Sequence, residues 1–162
     1  IVMTSVAGEC EWSSTSRLVW NQYNPLPFSM VRIEDTNSWT YTIATYREMN
    51  GSTANRLKFV VGIAGRAAWF IGRGTGSNSG SNQRMSVALN IDDTTGAHPS
   101  CVRNYTYGPQ ITGMHATLNL TPSIGSHFVS VLERSAAGGT STWYGDDGDV
   151  FAASGLSGEV FA

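Results

Sequence analysis

The sequence is poor in charge. Only 14% of its 162 residues are Asp, Glu, Lys or Arg, against about 25% in an ordinary soluble domain. Lysine is nearly absent, with Lys58 the single one, and the arginines are scattered in a chain of formal net charge -2. Binding to nucleic acid needs a concentrated basic footprint that displaces phosphate counterions, so no nucleic-acid partner is expected. Long apolar runs are also missing. None approaches the roughly 20 residues of a membrane-spanning helix, and no membrane association is expected. No signal-peptide or lipidation pattern is readable. The sequence opens on Ile1 rather than Met, as a processed product or a portion of a longer chain would.

Cysteine is scarce. Cys10 and Cys101 stand far apart. A bridge between them would close a long loop and add roughly 4 kcal/mol; the plainer alternative is two small buried hydrophobes. No CxxC or Cys/His spacing suggests zinc. His98, His115 and His127 form no HxH, HxxxH or HExxH arrangement. A serine nucleophile needs an elbow such as Gly-x-Ser-x-Gly, and Gly76-Ser77-Asn78-Ser79-Gly80 has the wrong spacing. Among the glutamates, Glu9, Glu11, Glu34, Glu48, Glu133 and Glu159, no acid pair of the kind glycoside hydrolysis requires can be read off. The chain is therefore expected not to be an enzyme.

What is present is alternation. Met85, Val87, Leu89 and Ile91 alternate with Ser86, Ala88, Asn90 and Asp92; Leu57, Phe59, Val61 and Ile63 alternate with smaller or polar residues; Trp39, Tyr41 and Ile43 alternate with threonines. A period of two puts one set of side chains on each face of a strand, and these β-branched and aromatic types suit a pleated surface. Further strands are expected over 11–20, 28–34, 67–71, 100–107, 116–120, 127–133, 140–144 and 159–162. Turn residues such as Asn50-Gly51, Gly108-Pro109 and Gly138-Gly139 separate them. No long helix is expected. Many short strands at this spacing predict an all-β, two-sheet antiparallel sandwich occupying residues 1–162 as one domain. A domain of this size buries about 70% of its unfolded surface. The stretch 72–82, Gly-Arg-Gly-Thr-Gly-Ser-Asn-Ser-Gly-Ser-Asn, has no apolar anchor and predicts a flexible exposed loop.

From Leu118 the chain reads Leu-Asn-Leu-Thr-Pro-Ser-Ile-Gly125-Ser-His127-Phe-Val-Ser-Val-Leu132-Glu-Arg-Ser-Ala-Ala-Gly138-Gly139-Thr-Ser-Thr142-Trp-Tyr144-Gly-Asp, and it closes on Leu156-Ser-Gly158-Glu-Val-Phe-Ala162. This last quarter resembles the late hairpin and closing strand of C1q/TNF-like jelly-roll domains of bacteriophage and bacterial surface proteins. The resemblance implies a jelly roll that assembles as a homotrimer. It also implies a structural or adhesive role on the virion surface of a tailed phage, as a fibre tip, head fibre or capsid decoration. The partners it implies are other virion proteins and a host surface glycan. The alternative is a secreted or cell-surface carbohydrate-binding module or C1q/TNF-like ligand domain.

Two sets of residues are candidates for a site. Trp and Tyr faces stack on sugar rings as readily as they fill cores. Trp143 and Tyr144 are neighbours that a strand points opposite ways, and Trp69 adjoins the glycine-rich stretch, so these three are the candidate glycan contacts. The loop Gly145-Asp146-Asp147-Gly148-Asp149 offers three hard oxygen donors, Asp146, Asp147 and Asp149, for Ca2+; an exposed Asp/Gly turn is the simpler reading.

Overall fold

A computed structural model describes residues 13–18, 26–146, 148 and 153–161. Its strands are β1 (Ser16–Arg17), β2 (Pro27–Ile33), β3 (Ser38–Thr40), β4 (Arg47–Glu48), β5 (Arg56–Val61), β6 (Ala68–Asn78) and β7 (Arg84–Ile91), then β8 (Val102–Arg103), β9 (Tyr105–Tyr107), β10 (Thr112–Leu120), β11 (Gly125–Ser135), β12 (Ser141–Tyr144) and β13 (Gly155–Phe161). The helical content is two single 3-10 turns, Met49–Gly51 and Thr53–Asn55. Asn50 and Gly51 both sit at positive φ there, which Asn and Gly tolerate better than other residues.

The strands form two sheets. The six-stranded sheet runs β1-β5-β11-β7-β9, with β4 also on β11; the seven-stranded sheet runs β2-β13-β6-β10-β8, with β12 on β6 and β3 on β12. All pairings are antiparallel except β1 with β5, which is parallel. The expected all-β sandwich is therefore what the chain forms, with one short parallel pair.

The alternating segments place most of their apolar set inward as expected; Ile43 and Ile63, which fall beyond the ends of β3 and β5, are exposed instead. Leu57, Phe59, Val61, Met85, Val87 and Leu89 are buried and meet Phe70, Leu118, Met30 and Trp143 of the opposite sheet in one core. The Phe59 and Phe70 rings, one from each sheet, lie 5.6 Å apart between centroids. The expected strands 39–43 and 100–107 are shortened: the first keeps only β3, and the second divides at Asn104 into β8 and β9.

The expected flexible loop at 72–82 is not a loop. Residues 72–78 are the second half of β6, the central strand of the seven-stranded sheet. It is paired with β10 on one side and with β13 and β12 on the other. The reason lies in the inward row Ala68, Phe70, Gly72, Gly74, Gly76, Asn78. A Cβ on Gly72 would stand 2.8 Å from Leu89 Cδ2, one on Gly74 2.5 Å from Val87 Cγ1, and one on Gly76 2.5 Å from Met85 Cε. The glycines form a groove that the side chains of β7 fill, the close approach for which a glycine in a strand is suited. Only residues 79–83 turn, and Asn78 holds that turn. Its side-chain NH2 donates to Ser141 Oγ at 2.7 Å and its Oδ1 accepts from Gly80 N at 2.7 Å.

Candidate functional site

The three aromatic candidates are not one site. Trp143 is fully buried; its indole NH donates to the buried Ser135 Oγ at 3.1 Å. It packs against Gly74 and has no face for a ligand, so its assignment as a glycan contact is corrected: inward-facing strand positions belong to the core. Tyr144 is half-buried beside Thr75, whereas Trp69, 45% exposed, pairs with Asn119 and Glu159. Trp69 and Thr75 are six positions apart on β6, about 20 Å along a strand.

Of the acidic loop, Asp147 and Asp149 lie outside the described residues. Asp146 Oδ1 accepts from Gly148 N at 3.0 Å, a local turn. Among the described residues no group of three or more His, Cys, Asp or Glu gathers in a metal-binding arrangement. Cys10 also lies outside the described residues; Cys101 is buried, and its Sγ accepts from Leu89 N at 3.3 Å. His127 does hydrogen-bonding work at the head of β11: Nδ1 meets Asp92 Oδ2 at 2.6 Å and Nε2 meets Ser123 O at 2.8 Å.

Two buried carboxylates define the interior electrostatics. Glu133 is fully enclosed, with Arg47 Nε donating at 2.7 Å to one oxygen and the Trp39 indole at 2.8 Å to the other. Burial pushes its carboxyl up to about 7, against the opposing pull of Arg47 and the hydrogen bonds. Glu34 is also buried. Burial raises its carboxyl, but donors from Thr36, Asn55 and Asn50 outweigh that and leave it below the ordinary value.

A concavity of about 780 Å³ does open on the six-stranded sheet, and its residues come from four separate segments of the chain. Tyr105, Ser86 and Arg134 stand in one row across β9, β7 and β11, so the pleat sends all three to the same face. Arg84 lies two positions along β7, again on that face. Tyr46 crosses above the row, its hydroxyl 3.1 Å from Ser86 Oγ. Arg103 comes from β8, which pairs with β10 in the other sheet. The chain changes sheets at Asn104, and Asn104 is pinned to His115. Its backbone NH donates to His115 O at 3.2 Å and its Oδ1 accepts from His115 N at 2.8 Å. Two consecutive short strands in different sheets thus deliver Arg103 and Tyr105 to one groove.

The guanidinium groups rest on rings. Arg84 lies 5.1 Å from the Tyr105 ring centroid; Arg103 and Arg134 lie 5.9 Å and 5.6 Å from that of Tyr46. These are within the roughly 6 Å reach of a cation–π contact. Arg134 Nε also donates to Ala44 O at 3.1 Å. No Asp or Glu lines the groove, and among the described residues none of Arg84, Arg103 and Arg134 has an ion-pair partner, whereas Arg32, Arg47 and Arg56 each have one.

None of these five residues stands out in the sequence. Arg84, Arg103 and Arg134 are 19 and 31 positions apart, and no local spacing joins them; only strand register does. Among the described residues no helix is long and apolar enough to cross a membrane. In comparison with known proteins, the chain matches no family model and no curated protein.

Proposed function

We propose that the chain is a structural and adhesive module of the virion surface of a tailed phage, a jelly roll of the C1q/TNF-like kind that assembles as a homotrimer and contacts a host glycan. The observation that carries this reading is the outer face of the seven-stranded sheet. One row across it reads Val31, Ser157, Ile71, Thr117, Val102. The flanking rows add Ile33 and Trp69, and Val31, Ile33, Trp69 and Val102 are all exposed. Exposed apolar side chains gathered on one sheet face, here spaced by Ser157 and Thr117, favour an association site. Arg73 and Glu159 stand on opposite sides of that apolar row. In a cyclic trimer the two halves of one patch meet heterologously, and an Arg-bearing half complements a Glu-bearing half.

Light scattering on the purified chain is the test. A trimer is expected, and Ile71→Asp together with Val31→Asp should give a folded monomer. A stable monomeric wild-type chain would sink the assembly. Gold-labelled antibody against the domain should mark phage particles; labelling confined to cell surfaces or culture medium would favour a secreted or cell-surface carbohydrate-binding module instead.

A further inference from the structure

We propose that the groove between Tyr46 and Tyr105 is a binding site for an oxyanion, the carboxylate or sulfate group of an acidic saccharide. Three guanidinium groups surround one concavity with no carboxylate on its lining. Two arginines of the same sheet outside the groove are each met by a carboxylate: Glu133 meets Arg47 at 2.7 Å and Glu48 meets Arg56 at 2.5 Å. Three like charges on one concave surface raise the local potential, and an anion entering the concavity relieves it. Guanidinium presents a planar fork of donors that matches the two oxygens of a carboxylate or sulfate. The rings restrain the forks. The Tyr46 ring carries Arg103 and Arg134, and the Tyr105 ring carries Arg84, so little side-chain freedom remains to be lost on binding.

The rest of the lining selects the carrier of the anion. Asn82 and Ser86 line the groove with the arginines. Amides and hydroxyls of this kind exchange hydrogen bonds with ring hydroxyls, which a bare inorganic ion lacks. Extended nucleic acid is disfavoured, because its affinity comes from a track of phosphate contacts and three cations in one concavity make no track. The proposal borrows from the adhesive reading only the saccharide; the anion site itself stands on the groove.

Calorimetric titration of the intact chain at low salt tests it, with four probes: inorganic sulfate, a uronic-acid oligosaccharide, its neutral counterpart and a short single-stranded DNA. The acidic oligosaccharide should bind at least tenfold more tightly than sulfate, and the neutral one should show no binding. Arg103→Gln and Arg134→Gln should each weaken the acidic ligand about tenfold, with unchanged circular dichroism. Arg66→Gln, outside the groove, should leave it unaltered. Equal binding of neutral and acidic oligosaccharide, or indifference to both groove variants, overturns the anion site. Binding of sulfate as tightly as the oligosaccharide overturns the saccharide as its carrier, as does tighter binding of DNA. Because light scattering reads assembly separately, a monomer that binds the acidic ligand keeps this proposal while the trimer falls.

Discussion

Val87 occupies the space that a side chain on Gly74 would need. Its Cγ1 lies 2.5 Å from where a Cβ would be built, and the same strand pair repeats the relationship at Gly72 with Leu89 and at Gly76 with Met85. Large residues on β7 and no side chain on β6 let the two sheets interlock. Gly74→Ala is therefore an overpacking change that should cost about 1–3 kcal/mol. Val87→Ala alone opens a cavity and costs about as much. The double variant should recover part of the loss, so urea midpoints of the four proteins should show coupling; strict additivity would contradict the interlock.

Trp143 and Trp69 should separate cleanly on substitution. Trp143 is fully buried and hydrogen-bonded to Ser135, so Trp143→Ala should lose about 3–5 kcal/mol. Trp69 is 45% exposed, and Trp69→Ala should stay within about 0.5 kcal/mol in monomeric conditions. Thermal melts of the two variants check both values.

Glu133 predicts a pH dependence of stability. Its carboxyl is raised from 4.5 to about 7 by burial, so the folded chain holds a proton that the unfolded chain gives up. The associated stability is complete below about pH 4.5 and is lost as pH rises through about 7, with a slope of at most ~1.4 kcal/mol per pH unit. Glu34 is shifted downward, so its contribution is present above its ordinary value and disappears in more acid solution, outside that window. Denaturant midpoints between pH 5 and 8 should fall for the wild-type chain, and Glu133→Gln should flatten the difference.

Asn78 should matter more than a turn residue normally does. Its amide joins the start of the 79–83 turn to Ser141 of β12 and to Gly138 O. Asn78→Ala leaves buried partners unsatisfied and should cost about 1–3 kcal/mol. Hydrogen exchange should report the loss first at Gly80 and at the Ser141 end of β12.

Much of the fold is legible in the sequence, because burial follows alternation. Leu57, Phe59, Met85, Val87 and Leu89 declare their inward faces by period two. Residues 72–78 escape that signal for a physical reason: the inward row is Gly72, Gly74 and Gly76, and a period-two apolar pattern has no letter for a position whose role is to leave room. Its pattern belongs to β7, whose large residues fill the space. The groove is illegible for a different reason. Tyr105, Ser86 and Arg134 are neighbours only through the register of three strands, and Arg103 joins them only because the chain changes sheets at Asn104. Trp143 and Trp69 look alike in sequence, and only strand phase separates a core residue from a surface one.

The sheet change at Asn104 has a mechanical consequence. Arg103 moves with the seven-stranded sheet, while Tyr105, Arg84 and Arg134 move with the six-stranded one. An anion bound as proposed would touch both sets and act as a rivet across the seam of the sandwich, resisting sliding of one layer over the other.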